Sequence, residues 1–117
     1  MIFHSYQAEM YKNITDDHTK LFKCIGESNR LQIIKLLSGG EKCVNEIVEA
    51  LGKEQSLISH HLKSLKHCGI VVSQQRAQKI YYHLSDPRLS ELVLLTEALL
   101  KDLPLCVEPA RKRRKER

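Results

Sequence analysis

Three observations predict a mainly α-helical fold carrying one small β-hairpin. Apolar residues recur at helical spacing in five separate stretches of the 117-residue chain. Between Gly69 and Leu84 that period is lost, and β-branched and aromatic residues flank a polar centre. Glycine or proline marks most of the expected boundaries, at Gly39-Gly40, Gly52, Gly69, Pro87 and Pro104. The length is that of one domain.

The first helix is expected to start at Thr15-Asp16-Asp17, which offer N-caps and acids for the positive end of the helix dipole. It carries Leu21, Phe22, Cys24 and Ile25, and residues 1–14 precede it as an arm or short helix. Ser28 can cap the second helix, where Leu31, Ile34 and either Leu37 or Ile33 share a face. Ser38-Gly39-Gly40 ends it. Val44, Ile47, Val48 and Leu51 then follow the i, i+3, i+4, i+7 pattern of a third helix. Gly52 turns the chain into a fourth helix, Gln55 to His67, with Leu57 or Ile58, Leu62 and Leu65 on one side. Two short amphipathic helices joined by such a turn form a helix-turn-helix.

Ile70-Val71-Val72, the polar run Ser73 to Gln78 and Lys79 to Leu84 read as a hairpin, with Arg76 and Lys79 near its tip. Asp86-Pro87 starts the last helix, an Asp cap followed by proline in the first turn. Pro104 stops it near Leu103. That helix bears Leu89, Leu92, Val93, Leu95, Leu99, Leu100 and Leu103, more apolar surface than a small core needs. Leaving several leucines wet would forgo several kcal/mol at ~25 cal/mol per Å². A second copy of the chain is the simplest cover, so the prediction is a winged helix-turn-helix over residues 15–104, dimerising through its terminal helices. Residues 105–117 form a basic tail expected to be disordered.

The net charge of +5 resides in that tail, because Arg111 to Arg117 carries six basic residues and one acid. The rest of the chain is balanced, yet Gln55 to Ser85 holds Lys63, Lys66, Arg76 and Lys79 and no acid at all. An acid-free basic segment on a balanced body is the pattern of a phosphate-facing surface. No basic segment followed by an apolar run opens the chain, and charges interrupt the longest apolar stretch. A cytoplasmic protein without membrane contact is expected, with its four cysteines as thiols. Phosphate-binding glycine loops, His-Glu-x-x-His and Gly-x-Ser-x-Gly are absent from the sequence, which argues against an enzyme.

With Ile58, Leu62 and Leu65 inward, the fourth helix presents Gln55, Ser56, Ser59, His60 and Lys63 outward. Such a helix fits the major groove, where base edges differ in donors and acceptors. Gln55, Ser56, Ser59 and His60 are candidates for base contacts. Lys63, Arg76 and Lys79 are candidates for phosphate contacts that set register. The bland alternative is a solvated polar face, and it loses weight because the polar face, the basic wing and the missing acids coincide.

The run Leu57-Ile58-Ser59-His60-His61-Leu62-Lys63-Ser64-Leu65-Lys66-His67-Cys68-Gly69-Ile70-Val71 resembles the recognition segment of the ArsR/SmtB repressors. Glu41 to Ile47 resembles the segment before it, and Ile80-Tyr81-Tyr82-His83-Leu84 the wing strand, so the similarity spans about residues 18 to 103. The resemblance implies a homodimeric repressor that binds a near-palindromic double-stranded DNA operator and leaves it when a metal or metalloid binds. Two positions depart from the family pattern. Ala77-Gln78 occupies the wing tip where glycine is usual, and Lys53-Glu54 stands where a Ser or Thr cap is favoured.

The resemblance also implies places for an inducer. At the family's zinc site on the last helix, Asp86 is kept, but Arg88, Leu99 and Asp102 occupy the other ligand positions, so that site is expected to be missing. At the two-cysteine site beside the third helix, Cys43 is kept and Asn45 replaces its partner. A cadmium- and lead-sensing mycobacterial branch fits better: Cys68 and Cys106 match two of its ligands, and Ser64 replaces a third. Cys68 and Cys106 are therefore the candidate ligands for a soft ion such as Cd, Pb, As(III) or Zn, with Cys24 and Cys43 as alternatives and no metal needed for folding. Cys24 on an apolar face also reads as core, and Cys43 as a small hydrophobe. Two competing readings stay open: a repressor switched by thiol oxidation, and a winged-helix module that binds protein.

Overall fold

A computed structural model describes residues 2–104. Its elements run α1 (Ile2–Ile25), α2 (Ser28–Leu37), β1 (Lys42–Cys43), α3 (Val44–Leu51), α4 (Gln55–His67), β2 (Val71–Arg76), β3 (Lys79–Leu84) and α5 (Arg88–Asp102). This is the expected mainly α architecture with a hairpin wing.

Helix α1 corrects the first boundary. It is continuous from Ile2, and Thr15 lies inside it, its carbonyl accepting from Thr19 Oγ1 at 2.8 Å. No proline or glycine interrupts residues 2–14, so cap-forming side chains at 15–17 had no break to cap. Gly26 ends the helix: its N–H reaches the Phe22 carbonyl at 2.7 Å, and a Cβ there would meet that oxygen at 2.6 Å. The cap of α2 is Glu27 rather than Ser28. Its extended backbone lets the carboxylate accept from the Arg30 N–H at 3.0 Å.

The core gathers Ile33, Ile34 and Leu37 of α2, Ile47 of α3 and Ile58, Leu62 and Leu65 of α4. Both Ile33 and Leu37 face inward, and of the pair Leu57 and Ile58 it is Ile58 that is fully buried. Each such side chain contributes about 1.5–3 kcal/mol on burial. Together they hold α4 by one face. Beneath α4, Arg30 donates through Nε to His61 Nδ1 at 3.4 Å and through Nη1 to the Cys24 carbonyl at 2.9 Å. One guanidinium thus links the end of α1 to the inner side of α4.

The strands form an antiparallel sheet in the order β1-β3-β2. Lys42 and Cys43 pair with Tyr82 and Tyr81, and the hairpin register runs from Val71↔Leu84 to Arg76↔Lys79. Within the expected hairpin the polar run is strand as far as Arg76, and Ala77-Gln78 makes the turn. Asp86 caps α5 as expected, accepting from the Arg88 N–H at 2.8 Å beside a helical Pro87.

The expectation of four thiols is corrected at two of them. Cys24 and Cys68 are joined by a disulfide, with Cα atoms 6.7 Å apart across 44 residues of sequence. The ends of α1 and α4 meet, which brings the two sulfurs within bonding reach. The expected tail, including Cys106, lies outside the described residues.

Candidate nucleic-acid interface

Helix α4 is divided cleanly by burial. Ile58, His61, Leu62 and Leu65 are buried, whereas Gln55, Ser56, Ser59, His60, Lys63, Lys66 and His67 are exposed. The exposed set follows from a 100° step per residue: once Ile58, Leu62 and Leu65 are fixed to the core, Ser59 and Lys63 must point away. His60 and His61 part company for the same reason, one outward and one inward. Thirteen residues give α4 a length of about 20 Å, enough to lie along a major groove.

Gly52 sets the turn before α4 with φ 64°, a left-handed value that closes α3 through its N–H to Val48. The helix begins at Gln55 despite the missing Ser or Thr cap, and Glu54 makes no side-chain capping bond. The N-terminal residues Gln55 and Ser56 therefore stand at an open helix end with its partial positive charge outward.

The wing treats its two basic residues differently. Lys79 is exposed at the start of β3. Arg76 is bound within the wing: its guanidinium pairs with Glu41 and lies over the Tyr81 ring, 4.2 Å from the centroid. The sequence offers Arg76 as a phosphate contact with no sign of this partner, because Glu41 is 35 residues away and the short β1–β3 pairing brings it near. Ala77 adopts φ 56° at the turn, the conformation that glycine usually supplies.

Of the candidate ligand cysteines, Cys24, Cys43 and Cys68 lie among the described residues and Cys106 does not. Cys68, exposed at the end of α4, is bonded to the buried Cys24. Cys43 is buried on β1 opposite Tyr81, at the start of α3, where its N–H donates to Glu46 at 2.9 Å. Among the described residues, no group of three or more His, Cys, Asp or Glu side chains could hold a metal ion. At the start of α5, Arg88 clasps Asp86 with Nη2 2.7 Å from Oδ2 and Nε 3.1 Å from Oδ1. Those bonds engage both carboxylate oxygens and hold the Asp86 carboxyl down at about 2.

Sequence reasoning missed the Arg30–His61 contact and the disulfide. His61 carried a weak signal, because it falls three residues from Ile58 on the core side. Oxidation of some cysteine pair is among the open readings of the sequence, but the bond between Cys24 and Cys68 carries no signal of its own, since spacing along the chain says nothing of two helix ends meeting.

Comparison with known proteins places this geometry among regulators. Residues 27–73 match the family described as "Bacterial regulatory protein, arsR family". An uncharacterised HTH-type transcriptional regulator of Methanocaldococcus jannaschii is 40% identical over 81 residues, which is 68% of this chain and 91% of that protein. A protein named "Probable mercury resistance operon repressor" in Streptomyces lividans is 32% identical over 95 residues, covering 81% and 76%. Among solved structures, a homodimeric winged helix-turn-helix DNA-binding domain from Mycobacterium bovis superposes with TM-score 0.71 at 25% identity, over 83% of this chain and 90% of that one.

Proposed function

Because this chain belongs to the ArsR family of bacterial regulatory proteins, we propose that it is a transcriptional repressor that binds double-stranded DNA as a homodimer. The exposed face of α4 carries this reading: Gln55, Ser56, Ser59, His60 and Lys63 lie together, free of acids, opposite side chains locked in the core. Each protomer sets α4 into a major groove, and twofold symmetry makes the operator near-palindromic. Gln55, Ser56, Ser59 and His60 read base edges, while Lys63 and Lys79 hold phosphates. Arg76 reaches a phosphate only by giving up Glu41. The site is cytoplasmic in setting and has no catalytic role.

The inducer in this reading is a soft metal or metalloid ion, and the relative named for mercury resistance supports that class. Cys68 with Cys106 of the tail would supply thiolates to it once the bond to Cys24 is reduced. Asp86, clasped by Arg88, takes no part.

The test is binding to a duplex selected from a random-sequence pool, compared with unselected DNA. Replacing Ser59 and His60 by Ala should cost about 1–3 kcal/mol per lost base contact on the selected duplex alone. Lys79→Ala should weaken both DNAs alike and lower the salt slope by about one. Equal losses on both DNAs for the Ser59/His60 pair would contradict the assignment.

A further inference from the structure

DNA contact leaves the Cys24–Cys68 bond without a role. We propose that these two residues form a reversible dithiol–disulfide site oxidised by hydroperoxides, and that its closure weakens operator binding by tethering α4 to α1. The second half rests on the reading of α4 as the DNA-contacting helix.

The two sulfurs differ in access. Cys24 is 4% exposed within the core cluster, whereas Cys68 is open to solvent at the end of α4. An oxidant in solution therefore meets Cys68 first, and Cys24 stands behind it as the resolving thiol. The cleft they share is also lined by Lys20, Lys23 and Arg30 against one carboxylate, Asp17. Both cysteines sit at the negative ends of helices, which disfavours a thiolate, and this net positive wall offsets that effect.

The chemistry closes without a further partner. The Cys68 thiolate attacks one peroxide oxygen, the O–O bond breaks, and an alcohol leaves (water, if the oxidant is hydrogen peroxide), giving a sulfenic acid. The Cys24 thiolate then attacks the Cys68 sulfur, the S–O bond breaks, and hydroxide leaves as water with the proton that Cys24 released. Two thiols lose two electrons and two protons, and the hydroperoxide is reduced. Because Cys68 is exposed, a reducing thiol reaches the bond from solvent and reverses it.

The position of the bond gives it leverage. Cys68 follows the last residue of α4, and Arg30 already links α1 to α4 through the Cys24 carbonyl and His61. A covalent link beside those polar contacts fixes the α1–α4 angle. It removes the small rigid shifts by which two recognition helices seat together in successive grooves. Coupling of this kind requires that DNA bind the restrained and free forms differently.

The experiment uses the full chain, reduced with dithiothreitol and then either treated with hydrogen peroxide or left alone. Each sample is divided between mass mapping of alkylated thiols and affinity measurement on a duplex selected from a random pool. Peroxide should link Cys24 to Cys68 within one chain and lower affinity about tenfold, and dithiothreitol should reverse both. Cys68→Ser, at an exposed position, and Cys24→Ala should each bind DNA equally well with and without peroxide, whereas Cys43→Ser should keep the response. Absence of the linkage in a chain that binds DNA overturns the inference alone. A linkage that leaves affinity unchanged or raised overturns the tether. A reduced chain that binds no DNA at all overturns the repressor reading and the tether with it, and the mass map still decides the dithiol site.

Discussion

At the scale of residues, Asp86 shows how one carboxylate is committed by its neighbours. Its Oδ1 accepts the Arg88 backbone N–H, and both oxygens take the Arg88 guanidinium. The folded-state value falls from the ordinary 3.8 to about 2, mainly through the side-chain bonds to Arg88. The sign follows from linkage: a lowered value means a contribution to stability that is full above 3.8 and lost as pH falls through about 2. A carboxyl-carbon NMR titration should show Asp86 titrating near 2, and Arg88→Ala should return it toward 3.8. A midpoint already at the ordinary value in the unaltered chain would contradict the clasp. This pairing was legible in part, because Asp-Pro-Arg announces a cap and a nearby cation. Arg76 was not, since its partner Glu41 arrives through strand pairing and not through sequence proximity.

Among elements, those with strong amphipathic periods were legible to the residue. Helix α4 begins at Gln55 and ends at His67, where the spacing of Ile58, Leu62 and Leu65 and the stop at Cys68-Gly69 place it. Helix α3 follows the same logic between Val44 and Leu51. The start of α1 at Ile2 differs from the expected Thr15 because cap-forming residues are equally at home on an exposed helical surface, and the sequence does not tell the two apart. Strand β1 is two residues long, too short to carry a period. The wing turn is the element where local chemistry and conformation disagree. Ala77 holds φ 56°, which costs a residue with a Cβ about 1–2 kcal/mol and glycine nothing. Glycine also gains freedom in the unfolded chain, which takes back about 0.4–1 kcal/mol. Ala77→Gly should therefore stabilise the protein by about 0.5 kcal/mol, read as a higher midpoint in urea, and a lower midpoint would contradict the account of the turn.

For the whole molecule, the described surface is unfinished in two places that face different partners. Residues 6–23 of α1 are all exposed, including Tyr6, Tyr11 and Phe22, and α5 leaves Leu94, Leu95, Leu99, Leu100 and Leu103 uncovered. Phe22, Ile25, Leu31, Leu99, Leu100 and Leu103 line one apolar groove shared by α1, α2 and α5. A surface of that extent favours burial against a second copy, as the leucine excess of the last helix already implied. The outward face of α4 together with Lys79 of the wing is the other open surface, and it meets DNA in this account. Charge distribution and helical period made both surfaces legible. The bond between Cys24 and Cys68 was not, because it depends on how two helices cross.

The claim that the outward face of α4 meets DNA is tested most directly by mapping backbone amide shifts in the reduced protein as a selected duplex is added. The account predicts the largest changes at Gln55, Ser56, Ser59, His60 and Lys63, with further changes at Lys79 of the wing. Binding that leaves the α4 amides undisturbed, or that maps to α1 and α2 instead, would contradict it.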